Sequence, residues 1–165
     1  GEISEGIAAS RLFLKRGVIA YVQGQKYPRE TFTAEEDDAV TSLPVVVLAN
    51  RGTAGAAEVV AAALLENARA DVVGSRTFGV GSIQKVLEIS DGSALILSIA
   101  KYYSPGGKAI QDVAVTPNIL VVDPDEDLAP PEDGVEEPAE PTAPSAPKED
   151  EVLRRALTLI GERKR

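Results

Sequence analysis

Cysteine, histidine, methionine and tryptophan are all absent from this chain of 165 residues. Without cysteine there is neither a disulfide nor a thiol nucleophile. Without histidine a Ser-His-Asp triad, a Cys-His pair and a His-bearing zinc site are excluded. The lack of methionine leaves no natural initiator, so the chain reads as a piece of a longer protein, with Gly1 at a cut. No apolar run approaches the ~20 residues that span a bilayer, and no signal-peptide pattern opens the chain. Basic residues are in deficit: 17 Lys and Arg face 26 Asp and Glu, for a net charge of −9. That balance disfavours nucleic acid and anionic lipid as partners, because both need a basic footprint.

What is present is unevenly distributed. Residues 124–149 hold seven of the 11 prolines and nine acidic residues against one lysine. The rest of the chain is left nearly neutral. With no aromatic and almost no aliphatic side chains, this segment cannot bury enough surface to offset its chain entropy, and it is expected to be a disordered linker. It divides the chain into a body, 1–123, and a tail, 150–165. The tail predicts one short helix. Acidic Asp150 and Glu151 open it, and basic Arg163, Lys164 and Arg165 close it. Val152, Leu153, Ala156, Leu157 and Ile160 fall on one face. A helix this short is marginal alone, so docking on the body is expected.

The body alternates helix and strand. Residues 4–16 place Ile7, Ala8, Leu12 and Leu14 on an apolar stripe, with Gly17 as its stop. A short strand follows at 18–22. Residues 23–42 are polar and predict a surface excursion. The run LPVVVLA at 43–49 suits a strand covered on both faces. A helix at 58–68 and a strand at 71–74 complete a parallel βαβ unit. Residues 83–90 and 93–100 flank Asp91-Gly92, a type I′ hairpin signal. Residues 104–108, SPGGK, form a turn. Residues 114–122 offer an edge strand, since Pro117 bars a central one. The fold class is α/β with a mixed sheet.

In open α/β sheets, sites lie beyond the C-terminal ends of strands. Here that place is residues 50–58, NRGTAGAAE, where a helix start presents unpaired amides suited to an oxyanion. Small residues that merely pack a helix against a sheet explain the same stretch, because no nucleophile with a base is visible. No residue set suggests a metal or cofactor.

The stretch 43–86, LPVVVLANRGTAGAAEVVAAALLENARADVVGSRTFGVGSIQKV, resembles the core of the tail-specific, or carboxy-terminal processing, serine proteases (peptidase family S41). DGSALILSIAKYYSPGGKAIQ at 91–111 and VTPNI at 115–119 continue the match. So do the opening helix and strand, and the charged linker with its short helix. The resemblance implies a layered α/β core like that of ClpP and the crotonases. It also implies a Ser-Lys dyad, in which a desolvated lysine replaces histidine as base. The family's nucleophile falls in a pattern that here reads Asn50, Arg51, Gly52, Thr53, Ala54, Gly55, Ala56, Ala57, Glu58, so its position is Gly55. Its base falls in Thr77, Phe78, Gly79, Val80, Gly81, Ser82, Ile83, Gln84, at Val80. Only Gln84, which supports the lysine in active members, remains. The implied oxyanion donors are the amide of Ala56 and, at the end of a glycine pair, Gly1.

Both chemical groups of the dyad are therefore missing, and the leading expectation is a proteolytically inactive, peptide-binding homologue or fragment. Two alternatives stand beside it. One is an active endopeptidase with a displaced nucleophile at Thr53 or Ser82 or a base at Lys85; local backbone bonding of Thr53 and Ser82 and solvation of Lys85 are the readier explanation of these residues. The other is a crotonase-like acyl-thioester binder. Tyr102 and Tyr103 either line a peptide groove or pack on the sheet edge. Glu58 is read as a helix-dipole partner or a structural ion pair. Lys101 and Lys108 either receive a carboxylate or are solvated. The resemblance further implies unfolded or C-terminal peptide segments as ligands, PDZ and N-terminal regions in the parent chain, self-association over an open sheet edge, and a periplasmic or secreted location.

Overall fold

A computed structural model describes residues 1–121 and 150–163. The segment 124–149 expected as a linker lies outside them, as do Lys164 and Arg165. The first helix, α1, runs Ile3–Arg11 and ends at Leu12, short of Arg16. The chain leaves the helix early because Leu14 turns into the core, where it is almost wholly buried. Gly17 is therefore not a helix stop. It opens strand β1, Gly17–Gln23, at φ +107°. A Cβ there would lie 2.2 Å from Asn67 Oδ1. Asn67 comes that close because its Nδ2 donates to Val18 O and Ala63 O, both at 2.8 Å.

The expected surface excursion contains a second strand. β2, Glu30–Ala34, pairs antiparallel with β1. Its alternation is easily missed, since only half-buried Phe32 and buried Ala34 mark the inner face. The βαβ unit is present. β3, Val45–Ala49, leads through helix α2, Ala56–Glu66, to β4, Ala70–Gly74, and the two strands pair in parallel from Val45↔Ala70 to Ala49↔Gly74. Coverage of β3 is incomplete among the described residues: Ala49 is buried, but Leu48 keeps 44% exposure. The hairpin joins β5, Ser82–Glu88, to β6, Ala94–Tyr103. Its turn is not type I′, because only Gly92 has positive φ, at +86°. The Gly92 N–H donates to Ile89 O at 3.0 Å and the Ile89 N–H to Ser93 O at 2.8 Å, a type I turn closed by a left-handed glycine. Asp91 Oδ1 favours this form by accepting from the Ser93 N–H and Oγ–H, which holds the Asp91 carboxyl below its ordinary pKa. The strand expected at 114–122 shrinks to β7, Ile119–Leu120, parallel to β4. Pro117 precedes it, and Ala114 is left-handed at φ +60°.

The layered α/β core is thus observed, with its pairings segregated. An antiparallel sheet has the order β2-β1-β6-β5 and a parallel sheet the order β3-β4-β7. Helix α2 packs on β1 of one and β4 of the other. The core between them gathers Ile7, Leu14, Ile19, Val59, Leu64 and Ile110. Helix α1 can approach α2 because Gly6 faces it: a Cβ there would come within 2.6 Å of Ala56 O. Helix α3, Glu151–Arg163, lies against β3 and β4. Its expected apolar face splits. Ala156 is buried and Val152 and Ile160 partly so, while Leu153 and Leu157 stay exposed.

Helix α2 ends in a Schellman motif, with the Arg69 N–H on Leu64 O at 2.9 Å and the Ala68 N–H on Leu65 O at 3.0 Å. Ala68 carries the left-handed position at φ 54°. Glycine removes the Cβ strain there, so Ala68→Gly is expected to stabilise the protein by roughly 1 kcal/mol. A rise in thermal midpoint checks this; an unchanged or lower one contradicts it.

Candidate functional site

The chain leaves β3 at Ala49 and turns through Asn50 and Thr53. The Thr53 N–H donates to Asn50 O at 2.9 Å, and the Asn50 N–H returns to Thr53 Oγ1 at 3.1 Å. Asn50 Oδ1 accepts the Gly52 N–H at 3.0 Å. The turn delivers Gly55 to the start of α2 at φ +61°, ψ −118°, a region L side chains rarely enter. A Cβ built on Gly55 meets nothing within 4 Å. The next residue, Ala56, has no acceptor for its amide among the described residues. Gly1 lies beside it, with a built Cβ 3.9 Å from Ala56 Cβ. The fold therefore brings together three of the residues singled out from sequence: Gly55, Ala56 and Gly1.

Val80 joins them through Glu58. This glutamate is wholly buried. Its Oε2 accepts the Gly55 N–H at 3.0 Å and the Val80 N–H at 2.9 Å. Its Oε1 accepts the Gly79 N–H at 2.8 Å and a short bond from Thr77 Oγ1. One carboxylate oxygen thus bridges the backbones of the two positions assigned to nucleophile and base. Glu58 has no cationic partner among the described residues, where hydrogen bonds take the place of the expected ion pair. Four donors and the helix start compensate its charge instead. Sequence reasoning missed this junction, although Glu58 three residues after the helix N-cap is itself a capping-box signal.

A second loop braces the first. Thr77 Oγ1, while donating to Glu58, accepts the Val115 N–H at 2.8 Å. The Thr77 N–H donates to Val115 O at 3.1 Å and the Asp112 N–H to Gly79 O at 3.0 Å. The Arg76 guanidinium donates to Asp112 O and Val113 O, and Gln111 Oε1 accepts the Gly81 N–H. Asp112 and Ala114 take positive φ to make these bonds. The side-chain bond from Gln111, and then the one from Lys101, hold the Asp112 carboxyl below its ordinary pKa. None of Arg76, Gln111 or Asp112 carried a signal in the sequence beyond its neighbourhood.

The other singled-out residues sit apart from this junction. Gln84 is exposed on β5, opposite Ser98, just past a ladder irregularity. Lys85 follows it and points to the other face of the strand. Among the described residues the Ser82 hydroxyl meets only Ser98 Oγ, at 3.5 Å. Thr53 Oγ1 is engaged by the Asn50 N–H. Tyr103 stacks on Tyr21 with ring centroids 4.9 Å apart, and Arg29 covers Tyr21. Tyr102 packs against the core, where burial pushes its hydroxyl pKa up. Lys101 pairs with Asp112 at 3.2 Å, and Lys108 is exposed. The SPGGK turn is tied down by Glu66, which accepts from Ser104 Oγ and the Gly106 N–H.

The chain matches the family model described as Peptidase family S41 over residues 1–121. It is 42% identical over 119 residues to the carboxyl-terminal-processing peptidase 2, chloroplastic, of Arabidopsis thaliana, covering 72% of this chain and 23% of that protein. It is 40% identical over 124 residues to the carboxyl-terminal-processing protease of Synechocystis sp., covering 75% and 29%. Among solved structures it resembles a photosystem II D1 C-terminal processing protease, with a TM-score of 0.66, 36% identity, and coverage of 74% of this chain and 32% of that one. The chain thus spans about a quarter of the length of these curated relatives. The junction of a strand end, a strained helix start and a buried carboxylate therefore stands in a protein that belongs to peptidase family S41.

Proposed function

We propose that this chain is the protease domain of a carboxy-terminal processing type in which both members of the Ser-Lys dyad have been replaced, so that it binds extended peptide without cutting it. The observation that carries the reading is Gly55. It keeps, at the end of β3, a backbone conformation that glycine adopts freely and an L side chain rarely does, with open space where a side chain would project and an unpaired amide at Ala56 beside it among the described residues. Gly55 supplies no oxygen to attack a carbonyl, and Val80 supplies no nitrogen to take a proton. A displaced nucleophile draws no support, because Thr53 serves its own turn and Lys101, opposite Ser82 on β6, is paired with Asp112.

The relatives' names suggest C-terminal segments as ligands, and the family resemblance suggests the rest. Unfolded or C-terminal segments of proteins are the ligands, and a strand-addition mode needs no catalytic side chain. PDZ and N-terminal regions belong to the parent chain, self-association covers an open sheet edge, and the location is extracytoplasmic or lumenal. Among the described residues no helix is long and apolar enough to cross a membrane.

The test is fluorescence anisotropy of labelled, unfolded casein with the full-length protein. The expected result is saturable binding, with the casein recovered at its original mass. Absence of binding overturns the peptide-binding reading.

A further inference from the structure

Strand β6 outruns its neighbour on one side. β5 pairs with it between Ala94 and Lys101. On the other edge β1 reaches only Lys101, Tyr102 and Tyr103. Past Gln23 the chain turns away, and Gly24 takes the place beside Ile99, where a Cβ would collide with Ile99 O. Among the described residues nothing pairs with that edge from Ala94 to Ser98. An open edge is a template for another strand, and proteins commonly blunt one with charge or proline. The outer strand of the hairpin, β5, is blunted in this way by Lys85 and Glu88. The stretch 94–98, ALILS, has neither charge nor proline. Its Leu95, Ile96 and Leu97 keep 46%, 61% and 41% exposure.

We propose that this edge pairs with the same edge of a second copy of the chain, antiparallel about Ile96. The proposal rests on the self-association put forward above and names its seam. Such pairing is two-fold symmetric, so if residue i of one copy meets residue j of the other, j also meets i. Using all of 94–98 then fixes the register. Ile96 faces Ile96, Leu95 faces Leu97 and Ala94 faces Ser98. A register centred on Leu97 needs Ile99, whose place Gly24 already fills. One centred on Leu95 draws in Ser93, which Asp91 holds in the hairpin turn. With β5 outside each β6, the rows of the joined sheet read Val86-Ile96-Ile96-Val86, Leu87-Leu95-Leu97-Lys85 and Glu88-Ala94-Ser98-Gln84. No row sets like charges opposite each other, an arrangement that destabilises a sheet. At each end the turn from Gly24 to exposed Lys26 comes to the exposed Asp91 turn of the other copy, and these charges are opposite. The edge is thus complementary to itself in length, apolar character and charge.

Light scattering and cross-linking of the full-length protein test the seam. Ile96→Lys sets two ammonium groups against each other across the axis and is expected to halve the mass of the natural assembly. Val86→Lys is the control. Val86 is as exposed, at 60%, and lies on the same face, but its two copies stand roughly 14 Å apart, three strand spacings and beyond a Debye length. That variant is expected to keep the natural mass. Ile96→Cys gives a readout that does not depend on a loss. Residues directly opposite in an antiparallel pair have Cα atoms about 4.5–5.5 Å apart, within the span of about 4.4–6.8 Å that a disulfide bridges. Mild oxidation is expected to join two copies through position 96, located by mass spectrometry, while Val86→Cys stays unlinked. A natural protein of monomer mass overturns the self-association reading and this seam with it. An oligomer whose mass survives Ile96→Lys and that gives no link at position 96 leaves self-association standing and overturns the seam.

Discussion

Replacing Glu58 by alanine is expected to destabilise the protein by about 3–5 kcal/mol, as much as any single side chain outside the large hydrophobes. Its carboxylate is the common acceptor for three backbone N–H groups and one hydroxyl, all drawn from two loops distant in sequence. Truncation leaves these donors facing a cavity, and an unsatisfied buried donor costs roughly 1–3 kcal/mol each before water enters. Glu58→Gln keeps the volume but turns a carboxamide NH2 donor toward N–H groups, so about half the loss is expected. Urea unfolding measures the totals. Hydrogen exchange at Gly55, Gly79 and Val80 localises them, because protection at those amides depends on Glu58. A loss below about 1 kcal/mol for Glu58→Ala contradicts the junction's role.

If the proposed reading holds, placing serine at Gly55 and lysine at Val80 is expected to create activity. In Gly55→Ser the new Cβ enters open space, so the penalty is conformational: holding an L residue in so sparsely populated a backbone region costs about 1–3 kcal/mol. A domain of ordinary stability, ~5–15 kcal/mol, tolerates that. Val80 contributes its backbone N–H to Glu58, a bond that lysine retains, while its side chain is 43% exposed. In the full-length protein Val80→Lys then provides the base. A positioned base contributes about 10²–10⁴-fold, so the double variant is expected to cut at least about a hundred times faster than Gly55→Ser alone. Val80→Lys alone has no nucleophile and is expected to stay silent.

Much of the architecture was legible because strong local patterns carried it. The uninterrupted VVVLA of β3, the Ala-rich α2 and the Asp-Gly hairpin all needed little tertiary help. Helix α1 was read too long because Leu12 and Leu14 extend its stripe, while the demand that Leu14 enter the core is a tertiary one. β2 hid behind a single Phe32. The hairpin's turn type was misread because Asp-Gly serves two turns, and the Asp91–Ser93 bonds decide between them. At the candidate site, Gly55, Ala56, Gly1 and Val80 were singled out through the family resemblance. The buried junction that ties Gly55 to Val80 was not, because the hydrogen bonds Glu58 accepts from Thr77, Gly79 and Val80 span about 20 residues and leave no periodic trace. Gln84, singled out with them, lies exposed on β5 and joins none of those bonds.

The most direct measurement is a mass-spectrometric digest of unfolded casein by the natural full-length protein, run beside the Gly55→Ser, Val80→Lys double variant. The account predicts intact casein with the natural protein and new cleavage products with the double variant. Cleavage by the natural protein contradicts it, and the cut would then be traced through Thr53 and Ser82.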